Sequence, residues 1–403
     1  MTDHALYILS ISTTAVLLAY IILWSGLQTF NANPTKRFMR IWFKLALYYA
    51  AYTMPFWALL LVIGWSQAVS PILAQLSLPL VLVAIFAMGF YFYTVVIQPN
   101  RLRLDHHAID LDLSTPLTVA VLADLRIGLY SGKPRHIRKL VATINALAAD
   151  AALITGDWLC YPSADLVGQL MLFKGVNKPI YTVMSTSDLR YQSINTTKQG
   201  QPLLEDTLSS AFDVLDISYI GQQCTSLPLK CTGATNALSV TSDVTSYPKN
   251  NQEGFRQQNL ENSPTVAVLC GWQDVPKQFA DIEEANASDK AALGAEIANT
   301  TKPVIILASR FDSISDLPKS LQPRPLLITG AAKAIQKNIW LAQKQKNIER
   351  SSEQSTLLNN SRMGKQRGLY QHGSAQIFVS SGIGTRGLPF RLYRPTIDVL
   401  TIR

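Results

Sequence analysis

Between Lys44 and Arg101 the chain carries no charged side chain. Within its first hundred residues, apolar runs cover residues 5–27, 41–63 and 72–97. About 20 helical residues cross a hydrocarbon core of roughly 30 Å, so each run is long enough to span one. A helix in a soluble core can also be apolar all round, but three in succession without a polar face are better suited to lipid. Trp24, Trp42, Phe43, Trp65, Tyr91 and Tyr93 fall toward the ends of the runs, where rings sit at headgroup level. The first run does not read as a signal peptide, because Met1-Thr2-Asp3-His4 has no Lys or Arg and no cleavage pattern follows. The expectation for residues 1–100 is an all-α transmembrane region of three helices.

Loop charge sets the expected orientation. Lys36, Arg37 and Arg40 lie between the first two runs with Lys44 at the start of the second, and Arg101 and Arg103 follow the third, whereas residues 66–70 carry no charge. Basic loops stay on the cytoplasmic side. This predicts a multi-pass inner-membrane protein with its N-terminus outside and its soluble part in the cytoplasm; a re-entrant second run reverses that. Of the net charge of +9, +3 falls in residues 1–100 and +6 in the rest. A basic juxtamembrane domain suits membrane lipids as partners. No finger spacing or aromatic-interleaved basic stretch points to nucleic acid. Cys160, Cys224, Cys231 and Cys270 lack C-x-x-C spacing, which argues against a zinc knuckle. Free thiols in a reducing compartment are expected, with a Cys224–Cys231 pair as the alternative for an exported domain.

After a linker at residues 101–116, residues 117–403 read as one α/β domain. Short β-branched or Leu-rich runs at residues 117–122, 151–154, 179–183, 265–269, 304–307, 326–328, 376–379 and 397–402 are expected strands. Helices are expected from Pro134 to about Ala148, with proline in the first turn, and at residues 164–173, 204–215 and 277–298. Polar stretches near 192–201, 241–263 and 342–366 have little to bury and read as surface insertions.

Five short segments sit at or just beyond expected strand ends. They are Leu122-Ala123-Asp124-Leu125-Arg126-Ile127-Gly128, Thr155-Gly156-Asp157, Ser185-Thr186-Ser187-Asp188, Leu307-Ala308-Ser309-Arg310-Phe311-Asp312, and Thr329-Gly330 through Gln336. In order and spacing they resemble the metal-binding blocks of calcineurin-like metallophosphoesterases. The stretch from Gly368, closing with Ser381-Gly382-Ile383-Gly384-Thr385-Arg386-Gly387, is similar to the membrane-associated subgroup of that family. The resemblance covers residues 117–403 and implies a sandwich of two mixed β-sheets flanked by helices. It also implies ancestry in phosphoester hydrolysis by two divalent metals.

The blocks have lost their histidines. Asp124 and Asp157 match two metal-binding aspartates, so two of seven ligand positions survive. Arg126, Arg310, Ala331 and Lys333 stand where the resemblance places ligand histidines, Thr186 stands for the asparagine, and Ser187 for the catalytic histidine. Guanidinium and ammonium offer a metal no lone pair. One expectation is that Arg126, Arg310 and Lys333 converge on the vestigial Asp124 and Asp157 and neutralise them. The other is that these loops have drifted to solvent. Convergence would leave one surplus positive charge, making Arg126, Arg310, Lys333, Thr186, Gly156 and Gly330 a candidate anion pocket for a phosphate-bearing lipid or small molecule. Asp188 and Asp312 read as turn carboxylates and His106-His107 as a surface pair.

The expected function is that of a membrane-anchored pseudoenzyme needing no cofactor. One rival is a residual phosphoester hydrolase acting on a lipid-linked phosphate, in which Mn, Zn or Fe is held by Asp124 and Asp157. The other is a scaffold or regulatory protein.

Overall fold

The computed structural model describes residues 2–32, 38–68, 82–83, 85–128, 134–160, 166–189, 204–228, 265–272, 280–309, 324–330, 367–372, 375–384 and 394–403. Two N-terminal helices, α1 (Thr2–Ala32) and α2 (Phe38–Ala68), are long and apolar enough to cross a membrane. They pack on each other through polar contacts that spare their outer faces. The Trp42 indole donates to the Ile22 carbonyl (2.9 Å) and the Tyr49 hydroxyl to Gln28 Oε1 (2.7 Å). Leu9, Val16, Leu23, Phe43 and Phe56 point outward, an arrangement that suits lipid and not water. A third helical segment, α3 (residues 85–100), contains a π-turn at Tyr93–Ile97 and ends at Asn100. The rest of the third apolar run, residues 72–81 and 84, lies outside the described residues.

The soluble part is α/β with mixed sheets. The first has the order β1 (Arg103–Ile109), β14 (Thr396–Ile402), β2 (Leu117–Leu122), β4 (Ala151–Ile154), β6 (Ile180–Thr182) and β7 (Ile217–Tyr219). The second has the order β12 (Gly368–His372), β13 (Ala375–Ser380), β11 (Leu326–Gly330), β10 (Val304–Ala308), β9 (Thr265–Trp272) and β8 (Cys224–Pro228). A two-residue pair, β3 (Ile127–Gly128) with β5 (Leu159–Cys160), flanks them.

The period of two along each strand assigns its side chains to layers. Val119 and Val121 of β2 meet Ile305, Leu307, Ile328 and Phe378 of the other sheet in a central core. Ala120 and Leu122, one residue out of phase, face the helices. On that side α4 (Pro134–Ala146) buries Ile137, Leu140, Val141 and Ile144 at helical spacing. It is joined there by Leu170 of α5 (Leu166–Leu170), Phe173 of the following 3₁₀ turn, and Phe212 of α6 (Leu204–Val214). Behind the second sheet, Leu293 and Ile297 of α7 (Ala280–Asn299) pack on Val304 and Ile306. Each fully buried Leu, Ile or Val contributes about 1.5–3 kcal/mol. The near-continuous apolar runs of β4, β10 and β11 are what strands covered on both faces require.

Two expectations need correction. Residues 103–109 are strand and not linker, in parallel register with all of β14. Their pattern hid this, because the inward positions include Asp105 and His107, so no apolar alternation marks the strand. Cys224 is also not a free thiol. The antiparallel register of β8 and β9 sets it opposite Cys270 with Cα atoms 4.1 Å apart, and the two form a disulfide. Cys160 is a buried thiol outside any disulfide among the described residues, and Cys231 lies outside the described residues.

Candidate functional site

The C-terminal ends of β2, β4, β6, β10, β11 and β13 point the same way, and the motif residues lie just past them. Open α/β sheets place ligand-contacting loops at such ends. The two sheets meet there at close range. A Cβ on Gly156 would lie 3.0 Å from the Ser185 nitrogen and 3.2 Å from Ser309 Cβ. One on Gly330 would lie 3.1 Å from Thr155 Oγ1 and 3.3 Å from Ala123 Cβ. Thr155 Oγ1 and Ser309 Oγ are buried beside these glycines without a hydrogen-bond partner among the described residues.

Arg126 is the centre of the site. Its Nη2 donates to Asp124 Oδ1 (2.6 Å) and to Asp157 Oδ2 (2.7 Å), and its side chain is 8% exposed. The Ser187 hydroxyl donates to the other Asp157 oxygen. The loops that deliver these groups are themselves joined, since the Arg126 amide donates to the Asp157 carbonyl (2.9 Å) and that of Ile127 to Trp158 (2.7 Å). Asp124, Arg126 and Asp157 all adopt left-handed backbone, with φ of 53°, 52° and 53°. For non-glycine residues such geometry costs about 1–3 kcal/mol each and gathers at functional sites.

The glycine-rich C-terminal turn clamps the first loop from above. Ile383 and Gly384 amides donate to the carbonyls of Ala123 (2.8 Å) and Asp124 (2.6 Å). A Cβ on Gly384 would come within 2.5 Å of the Asp124 carbonyl oxygen, so only glycine fits.

Asp188 is a turn carboxylate as expected, bonded reciprocally to Ser185 at the start of the 186–189 turn, and it does more. Completely buried, it accepts from the Trp158 amide (3.2 Å), the Leu159 amide (2.9 Å), the Ser185 amide (2.9 Å) and the Ser185 hydroxyl (2.9 Å). It thereby ties the 185–189 turn to the segment after Asp157. Its only sequence signal was its place in the third block.

Burial pushes the Asp124 carboxyl up to about 7, against the opposing charge of Arg126. Burial would also raise Asp157. Hydrogen bonding from Asp124, the Arg126 charge, and Ser185 and Ser187 instead hold it below the usual carboxylate range. The pair therefore keeps a proton on Asp124 toward acid pH while Asp157 stays ionised. Asp188 is raised to about 6 by burial and by the Asp157 charge, against the donors from Ser185 and Leu159.

Of the three cations expected to converge on Asp124 and Asp157, Arg126 does so. Arg310, Lys333, Ala331 and Asp312 lie outside the described residues. Among the described residues the centre holds one guanidinium against Asp124, Asp157 and Asp188, which is no cationic surplus. Thr186 lies in the turn at residues 186–189. A dinuclear metal centre does not fit these groups. The space between the two carboxylates is bridged by a guanidinium with no lone pair, and a serine takes the oxygen an adjacent ligand would need.

A second group of metal-ligand type, Asp105, His107 and Asp398, has its ligand atoms within 4.8 Å of one another. His107 is therefore not part of a surface pair; its ring lies 4.9 Å from that of Phe378, and its Nε2 is 3.4 Å from Asp398 Oδ1. Arg103 binds Asp105 at 2.5 Å, Arg367 bridges from Asp105 to within 3.9 Å of Asp398, and Ser380 donates to Asp398 (2.6 Å). Two guanidiniums already balance the two carboxylates, so a divalent ion would have to displace one. The group joins β1 and β14 to β12 and β13 across the gap between the sheets.

No protein-family model matches the chain, and no curated protein matches it.

Proposed function

We propose that this is a membrane-anchored protein whose soluble domain keeps the metallophosphoesterase-type sandwich as a pseudoenzyme, with an internally neutralised core in place of two metals. The observation that carries this reading is the Arg126 guanidinium donating to both Asp124 and Asp157. The left-handed backbone at all three residues supports it, because strained geometry of this kind outlasts its use when neighbouring contacts hold it. Catalysis in the ancestral manner would need an acid for the leaving group. Ser187, whose hydroxyl is committed to Asp157, has no titratable proton near neutral pH.

Anchoring rests on α1 and α2 and their outward apolar faces. The three-span, inner-membrane reading places the domain in the cytoplasm by loop charge, whereas the Cys224–Cys270 disulfide suits an oxidising compartment.

The test is metal content and activity of the full chain, extracted in mild detergent without chelator. Far less than one ion of manganese, zinc or iron per chain, and no hydrolysis of an aryl phosphodiester with added metal, are expected. Stoichiometric metal with turnover would establish the residual hydrolase instead.

A further inference from the structure

The soluble domain touches the apolar helices at named points, which fixes its membrane-facing side. Cys160 of β5 packs on Leu45 of α2, beside Tyr48 and Tyr49. At the end of α3, the Lys139 ammonium donates to the Asn100 carbonyl (2.9 Å), and His136 Nε2 meets the Asn100 side chain. The first turns of α4 therefore lie where the last apolar helix leaves the hydrocarbon.

At that level the exposed side chains are cations. Ile137, Leu140 and Val141 turn α4's apolar face into the domain, leaving Arg135, Arg138 and Lys139 exposed. Arg101 is exposed one residue beyond Asn100. Among described residues 85–128, the acidic ones do not offset this group. Asp105 is buried against Arg103 and Arg367, and Asp124 is committed to Arg126. Asp110 and Asp112 lie past the far end of β1, a strand of 7 residues, which extends roughly 3.3 Å per residue. Cations in the opening turns of a helix also oppose its dipole, so helix stability does not explain them.

We infer that Arg101, Arg135, Arg138 and Lys139 form a collar that binds the phosphates of anionic phospholipid headgroups and seats the domain on the bilayer. This rests on the membrane-anchored reading above. The occupant follows from position and charge, because a basic patch beside the point where a helix leaves the hydrocarbon meets anionic headgroups, each such cation adding to the attraction.

The test uses the full chain in neutral detergent, with thermal unfolding followed during titration by dioctanoyl phosphatidylglycerol or dioctanoyl phosphatidylcholine, which share acyl chains and differ in headgroup charge. The anionic lipid should raise the melting temperature at low salt, lose most of that effect in high salt, and exceed the zwitterionic lipid. Arg135→Gln/Arg138→Gln should melt at the wild-type temperature without lipid and bind the anionic lipid about thirtyfold more weakly. Equal response to both lipids, or an unchanged preference in the variant, overturns the proposal. An equal shift from inorganic phosphate alone also overturns it, assigning the patch to free phosphate. Failure of the anchored reading has its own signature, recovery of the full chain in the soluble fraction after an alkaline carbonate wash.

Discussion

Replacing Arg126 with leucine removes the only described cation between Asp124 and Asp157 while keeping most of the stem's volume. Both carboxylates are deeply buried, and both lose a short charge-assisted hydrogen bond, of 2.6 and 2.7 Å. Breaking a buried ion pair from one side costs about 3–5 kcal/mol, because the remaining charge is left uncompensated. For a domain of this size that corresponds to a melting temperature lower by roughly 6–15 °C. The cost should depend on pH. Arg126 opposes the rise of Asp124, already pushed to about 7, so without it that carboxyl rises further and Asp157 rises with it. A carboxyl raised above its unfolded value makes the folded state bind more protons than the unfolded chain. Stability then falls as pH climbs from the unfolded value through the raised one. The Arg126→Leu variant should thus approach wild type near pH 5 and fall away by pH 8. Adding Asp124→Asn and Asp157→Asn should restore much of the loss at pH 8. The assay is thermal unfolding of the detergent-solubilised full chain across that range. A variant within about 0.5 kcal/mol of wild type at pH 8, the scale of a neutral surface change, would refute the argument that the guanidinium neutralises a buried pair.

Gly384→Ala places a methyl group against the Asp124 carbonyl, where the backbone cannot yield without moving the first loop. A destabilisation of about 1–3 kcal/mol is expected in the same melts, and a neutral result would dissociate the C-terminal turn from the site. Asp188→Ala leaves the buried amides of Trp158, Leu159 and Ser185 without their acceptor. At about 1–3 kcal/mol per orphaned group, little monodisperse protein should survive extraction, and a well-behaved variant would count against its tying role. Alkylation of thiols in intact cells, followed by denaturation without reductant, reads the state of Cys224 and Cys270. The disulfide predicts that both stay protected until reductant is added, which would also refute cytoplasmic sidedness, whereas labelling of both without reductant would refute the bond.

Local chemistry made much of this protein legible. The central strands were readable because strands covered on both faces are nearly continuous apolar runs, as in β2, β10 and β11. α4 was readable because Ile137, Leu140, Val141 and Ile144 recur at helical spacing after a proline. The same logic failed for β1, whose inward positions carry Asp105 and His107, polar side chains that meet Arg103, Arg367 and Asp398. It failed for the disulfide as well, since residues 46 apart in sequence are paired by a strand register that spacing does not encode.

At the site the division is sharper. The sequence by itself determined that Asp124, Arg126, Asp157 and Ser187 stand in short blocks without histidine, and that these blocks lie just past expected strand ends. Only the tertiary structure decided that Arg126 lies between Asp124 and Asp157 and that Asp188 braces the loop beneath them. The physical reason is that residue type limits which hydrogen bonds and charges a group can offer, while long-range packing decides which groups meet in the low-dielectric interior.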